Sequence, residues 1–254
     1  MARILLTNDD GISARGLAAA RAALEPLGEL YVVAPEREQS AVSHSITLNR
    51  PLRMRELAPR THAVDGTPSD CVFMTCEVLL RDQPPDLVVS GINAGGNLGV
   101  DVIYSGTVGA AMEGALRGLP SIAVSLVGYH DLDFALAARF LAALAADVLA
   151  NGLPPNTMLN VNVPKRAVEP LHYRYTTLGD HHYGDVVERR SDPRGRPYYW
   201  IGGHWQGFEP IAGSDCVAIA DGHVSVTPLR FKLCADEHLA ELGQRRVKGF
   251  EPAP

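Results

Sequence analysis

Residues 3–35 begin Arg3-Ile4-Leu5-Leu6-Thr7-Asn8-Asp9-Asp10-Gly11 and end Glu29-Leu30-Tyr31-Val32-Val33-Ala34-Pro35, and this stretch decides the fold. Arg3–Thr7 is an apolar run without alternation, the pattern of a strand covered on both faces, and it meets a turn at Asn8–Gly11. Leu17, Ala20, Leu24 and Leu27 recur at three- and four-residue spacing, the stripe of a helix over Leu17–Leu27. Pro26 and Gly28 are placed to end it, and Glu29–Pro35 is the next strand. Strand, helix and strand in that order open a βαβ pattern.

Working outward, a polar loop runs from Glu36 to Ser45, followed by extended segments at Ile46–Leu48 and Leu52–Leu57. Thr67-Pro68-Ser69-Asp70 offers an N-cap, a proline at the first helical position and an acid at the third, ahead of a helix over Cys71–Leu80. Asp86–Ser90 is a buried strand that runs into the glycine-rich stretch Gly91–Gly99. A helix over Val108–Leu116, a strand at Ser121–Leu126, a helix over Phe134–Leu149 and a strand at Met158–Val163 continue the alternation. The expected fold class is therefore α/β, a doubly wound and mainly parallel sheet over residues 1–165.

After Pro164 the texture changes. Val186–Arg190 and Tyr198–Ile201 flank Ser191-Asp192-Pro193-Arg194-Gly195, which predicts a β-hairpin with a long loop. Val224–Leu229 reads as a strand and Ala235–Leu242 as a terminal helix. Residues 166–254 are thus expected to form an appended segment that serves assembly. Tyr183–Gly203 is its arm, since the hairpin carries Tyr183, Tyr198, Tyr199 and Trp200 and rings on an isolated hairpin need a surface to cover.

The 254 residues are 46% hydrophobic, 20% charged and 6% aromatic, which excludes disordered and fibrous classes. Net charge is −6, without the basic footprint that binds a nucleic-acid polymer or an anionic membrane. Cys71, Cys76, Cys216 and Cys234 form no CxxC spacing, so a structural zinc site is not expected. The first residues enter a strand without a signal-peptide pattern, and apolar runs fall short of the roughly 18 residues of a membrane span. The expected location is cytoplasmic.

Ligands of open α/β sheets bind outside the carboxyl ends of the strands. Three polar clusters follow strands here: Asn8-Asp9-Asp10, then Ser40 with Ser43-His44-Ser45, then Asn93 with Asn97. Asp9 and Asp10 converge only if the chain turns between them, which Gly11 permits; two carboxylates so close repel, and a cation relieves the repulsion. Alternatively one acid caps the first helix while the other faces water. Adding Ser40 and Asn93 makes an oxygen-only donor set, suited to Mg²⁺, Mn²⁺ or Ca²⁺ and leaving room for water and substrate. A turn role for Asn93 and a plain loop hydroxyl for Ser40 are the alternatives. Asn97 with Ser105-Gly106-Thr107 at a helix start is a candidate anion site, against the commoner role of Ser or Thr as a simple N-cap. His44 is open to a role as general acid or as an incidental loop residue, and adjacent His181 and His182 receive no role.

Several of these stretches resemble the SurE family, the stationary-phase survival proteins. They are Thr7–Gly11, Ser40 followed by His44–Thr47, Gly66–Val72, Ser90–Asn93 continuing to Tyr104–Val108, and Val224–Pro228. One position departs from the family, Gly96 standing where a proline is usual, which predicts a more mobile loop. The resemblance implies a Rossmann-like catalytic core and metal-dependent hydrolysis of nucleoside 5′- and 3′-monophosphates, with short polyphosphate a further substrate. It implies one Mg²⁺ or Mn²⁺ per subunit on Asp9, Asp10, Ser40 and Asn93. Phosphate contacts fall on Asn97, Ser105, Gly106 and Thr107. The catalytic set is Asp9, Asn97, Ser105 and Thr107, with Asp9 orienting or deprotonating the attacking water. A homodimer or homotetramer exchanging a C-terminal arm is implied as well.

Two rival readings are distinguishable. A haloacid-dehalogenase-like phosphatase places its nucleophilic Asp in an Asp-x-Asp spacing, which Asn8-Asp9-Asp10 lacks. A non-enzymatic, receiver-like metal-binding signalling domain expects a phospho-accepting Asp after its third strand, where this chain has Ser90-Gly91-Ile92-Asn93.

Overall fold

The βαβ opening is realised in the computed structural model, which describes residues 1–166, 171–245 and 248–249, without the side chains of 182–186 and 203–206. β1 (Arg3–Thr7) and β2 (Glu29–Pro35) are parallel, joined through α1 (Arg15–Leu24). A 3-10 turn at Glu25–Leu27 follows α1, so the helix stops before Pro26, whose ring nitrogen cannot donate to the helical ladder. β3 (Met54–Ala58) and β4 (Thr61–Val64) continue outward from β2. α2 (Pro68–Met74) starts with the expected capping box between Thr67 and Asp70, then widens into a π turn over Thr75–Leu79.

The chain then crosses to the other side of β1. β5 (Leu87–Ala94) pairs with β1 in parallel, and β6 (Ser121–Val127) and β7 (Met158–Pro164) extend the sheet parallel to it. Short α3 (Asp101–Tyr104), α4 (Gly106–Leu116) and α5 (Ala135–Asn151) are the intervening helices. β11 (Val224–Leu229) joins β7 antiparallel and pairs with β8 (Tyr173–Tyr175) at the edge. Among the described residues the nine strands run β3-β4-β2-β1-β5-β6-β7-β11-β8. Strand order reverses direction between β1 and β5, which makes the gap at their carboxyl ends the topological switch point.

Side chains alternate across β1, and so does its packing. Ile4 and Leu6 join the core under α1 and α5, with Leu17, Leu24 and Leu141. Leu5 faces the opposite layer with Val72 of α2 and Ala110 of α4. Gly16 is required by this arrangement, because a Cβ there would lie 1.9 Å from the Ile92 carbonyl oxygen.

Differences from the sequence expectation are local. Ile46–Leu48 forms no strand; instead the Thr47 amide and hydroxyl donate to the Asp70 carboxylate. The terminal helix over Ala235–Leu242 is a 3-10 turn at Asp236–His238 followed by α7 (Leu239–Leu242). α6 (Asp215–Ala220), β4 and β8 were not expected. The hairpin is longer than its two predicted runs: β9 (His181–Ser191) and β10 (Pro197–Phe208) pair antiparallel from Pro197↔Ser191 to Phe208↔His181, apart from the main sheet. Tyr198, Tyr199 and Trp200 are exposed on it, whereas the Tyr183 side chain and the surroundings of Gly203 lie outside the described residues.

Candidate functional site

The turn after β1 is closed by Asn8, whose Nδ2 donates to the Gly11 carbonyl at 3.1 Å while its Oδ1 accepts from the Gly11 amide at 3.2 Å. Gly11 has φ of 97°, a conformation that favours glycine, and the chain bends there as expected. The two acids are then fastened to different elements. The Thr107 amide donates to Asp9 Oδ2 at 3.0 Å and the Thr107 hydroxyl to Asp9 Oδ1. Asp10 Oδ2 accepts from the Ala94 amide at 3.0 Å, at the end of β5.

Burial pushes Asp9 up from 3.8 to about 6, opposed by the Thr107 hydroxyl and reinforced by the charge of Asp10. Asp10 is also raised by burial, with the Ala94 amide opposing and Glu38 adding repulsion. The main causes of both shifts are burial, nearby acids and backbone or hydroxyl hydrogen bonds, with no basic side chain among them. A cation bound between such a pair would relieve their repulsion. The donors around it are oxygens: Ser40 Oγ, which donates to Glu38 Oε1 at 2.6 Å, and Asn93, whose Nδ2 donates to the Gly95 carbonyl at 2.8 Å and leaves Oδ1 as acceptor. Acids, a hydroxyl and an amide oxygen form a donor set whose chemistry suits a hard divalent cation.

Asp9, Asp10, Ser40, Asn93, Asn97 and Ser105 line one cleft of about 390 Å³ at the switch point. Gly106 and Thr107 lie against Asp9; a Cβ at residue 106 would fall 3.0 Å from Asp9 Cβ. The roles within the helix start differ from a simple set of phosphate donors. Ser105 Oγ accepts from the Val108 amide at 3.1 Å, the N-cap role, and its own amide donates to the Asp101 carbonyl. Thr107 holds Asp9. α4 has no acid in its own first turn, so Asp9 supplies the negative charge that its positive end favours.

Asn97 is set by polar residues that the sequence reading missed. Its Nδ2 donates to Ser125 Oγ at 2.8 Å, its amide to Asn162 Oδ1 at 2.8 Å, and its carbonyl accepts from Asn160 and Asn162. Asn160 and Asn162 are fully buried two residues apart on β7. Polar residues at that spacing in an otherwise apolar strand share one face, a signal the sequence does contain. The loop around Gly96 is therefore tied on both sides, with Gly95 also donating to the Leu126 carbonyl at 3.0 Å. Glu38, Asp101, Tyr104 and Tyr129 complete the cleft. His44 stands apart from it, with Nε2 2.9 Å from Glu113 Oε2 further along α4.

An open α/β sheet with an oxygen-rich cleft at its switch point defines the chain as a Rossmann-like α/β protein with its cleft where such folds bind ligands. The family model for survival protein SurE matches residues 4–185, and the chain belongs to that family. It is 53% identical over 249 residues to the 5′-nucleotidase SurE of Myxococcus xanthus, covering 98% of this chain and 95% of that one. The 5′-nucleotidase SurE of Anaeromyxobacter dehalogenans (strain 2CP-C) is 52% identical over 254 residues, 99% of each chain. The crystal structure of SurE from Aquifex aeolicus superposes with a TM-score of 0.83 at 42% identity, covering 94% of this chain and 98% of that one.

Proposed function

We propose that the cleft hydrolyses the phosphate ester of nucleoside 5′-monophosphates, releasing nucleoside and phosphate, so that the chain acts as a 5′-nucleotidase. The observation that carries this reading is the placement of Asp9 and Asp10 beside Asn97 in one cleft at the switch point. Relatives named 5′-nucleotidase, matched over nearly the whole chain, support it. Hydrolysis of 3′-monophosphates is included in the proposal.

Asp9, Asp10, Ser40 and Asn93 would hold one Mg²⁺ or Mn²⁺. When bound, the cation supplies charge neutralisation and lowers the pKa of water. Asp9 would orient the attacking water or take its proton, and Thr107 keeps the Asp9 carboxylate in one orientation through both oxygens. Asn97 spends one amide hydrogen on Ser125 and has a second to offer a phosphate oxygen. The start of α4, with Ser105, Gly106 and Thr107, contributes its dipole to the same anion. Within residues 166–254, where β8 and β11 complete the main sheet, the β9–β10 hairpin is the assembly arm, and its exposed rings support a homodimer or homotetramer made through it. Four free cysteines support a cytoplasmic location; among the described residues no helix is long and apolar enough to cross a membrane.

Phosphate release across a panel of nucleoside monophosphates, with chelator and with added Mg²⁺ or Mn²⁺, tests the reading. Release that needs the cation is the expected result. Release undiminished in the stripped protein rejects the metal site, and no release under any condition rejects the activity.

A further inference from the structure

Beside the cleft lies a second cavity of about 470 Å³, walled by Leu98, Val127, Tyr129, Phe208, Cys216 and Ile219. Its volume is in the range of small-molecule sites, and its walls are mainly apolar. The cavity and the cleft are continuous: Gly96, Asp101 and Tyr129 line both. A smaller hollow shares Asp10, Ala94 and Tyr129 with the cleft and also carries the charged Arg15 and Asp131, so an uncharged planar group finds the better match in the apolar cavity.

Resting on the nucleotidase reading, we propose that this cavity takes the nucleobase and that Asp101, at its junction with the cleft, accepts the ribose hydroxyls. Asp101 is the one carboxylate that both spaces share. His181, whose side chain is completely buried, packs against it with Nε2 3.1 Å from Asp101 Oδ1. A carboxylate has acceptor sites for several donors, so a contact with His181 is compatible with binding a diol. The spacing follows the substrate: phosphate in the polar cleft, sugar at the boundary, base in the apolar space. Phe208 and His181 are register partners at the base of the hairpin, so the same segment closes the cavity and contacts the ribose-binding acid. His181 is a positioning residue in this scheme, and Asp101 a binding one.

The test combines binding and kinetics on the full-length protein. Ala220 lines the cavity from an exposed position on α6, so Ala220→Trp fills it with little demand on the core. Calorimetry with adenosine, which needs neither metal nor turnover, should show binding to the wild type that falls by about tenfold or more in Ala220→Trp. The same variant should raise KM for adenosine monophosphate by a similar factor while kcat/KM for glycerol phosphate, which has no base, stays within about twofold. Asp101→Asn should lose roughly tenfold of the preference for a ribonucleotide over its 2′,3′-dideoxy counterpart, and His181→Gln should lose part of it. Unchanged adenosine affinity in Ala220→Trp, or equal loss on both phosphate substrates, overturns the base site. An unchanged ribose preference in Asp101→Asn overturns the role of that acid. Failure of wild type to hydrolyse either substrate rejects the nucleotidase reading instead, and the adenosine titration still decides the cavity.

Discussion

Thr107 grips Asp9 with two groups at once, its amide on Oδ2 at 3.0 Å and its hydroxyl on Oδ1, across 98 residues of sequence. The acid at the end of β1 is thereby welded to the start of α4. The hydroxyl lowers the pKa of Asp9 and so opposes the burial that raises it. Thr107 thus acts on the site through Asp9.

Thr107→Ala removes the hydroxyl and keeps the amide. Ser105 remains the N-cap, so the helix should be retained. Asp9 should titrate higher, moving the acid limb of the kcat/KM profile to higher pH, with activity or metal affinity down roughly 10–100-fold. Thr107→Ser should restore both. A pH profile unchanged in the alanine variant removes Thr107 from this role.

Asp10→Asn deletes a charge at nearly constant shape. Calorimetric titration with Mn²⁺ should show weakened binding in a protein whose circular dichroism is that of wild type. Because the charge of Asp10 raises Asp9, the variant should also titrate Asp9 lower. Wild-type metal affinity in the variant excludes Asp10 as a ligand.

Asp9 ionises near pH 6 in the metal-free fold but near 3.8 as a free side chain. Its contribution to stability is therefore present below pH 4 and is lost as pH rises through about 6, on the order of 2–3 kcal/mol. Metal-free Asp9→Asn should accordingly melt higher than wild type at pH 7, with the gap closing toward pH 4. Thermal denaturation at both pH values in chelator measures it; a constant gap contradicts the shift.

Replacing Glu188–Trp200 with a short Gly-Ser linker removes the outer hairpin, whose register pairs Trp200 with Glu188. Light scattering should report a smaller oligomer from a folded protein. An unchanged mass defeats the assembly role of the arm.

Strands β1, β2, β5, β6, β7 and β11 were legible because each is a short apolar run between breakers, and β1, β2 and β11 have the predicted ends. The capping box at Thr67–Asp70 was legible for the same reason: it is a local device. The acid pair, Ser40, Asn93 and Asn97 could be picked out since each follows a predicted strand end, although β5 runs on past the predicted Ser90 to Ala94 and takes in Asn93. What escaped depends on partners remote in sequence. Asp101 means little until His181 packs against it, and Tyr129 little until it lies beside Gly95. Thr107 was readable as a hydroxyl at a helix start, but only the packing of α4 on β1 shows which group it serves. β8 is three residues long, too short for a periodic pattern.

Asp215 is fully buried and accepts from the amides of Gly99, Gly179 and Cys216. One oxygen reaches back 116 residues to the loop after β5. During synthesis, then, the acids and the glycine loop emerge from the ribosome long before the group that pins the loop. A nascent chain halted short of Asp215 owns every proposed metal ligand but leaves the Gly99 amide without its carboxylate. The loop that carries Asn97 thus gains this tether only after the ribosome has passed residue 215.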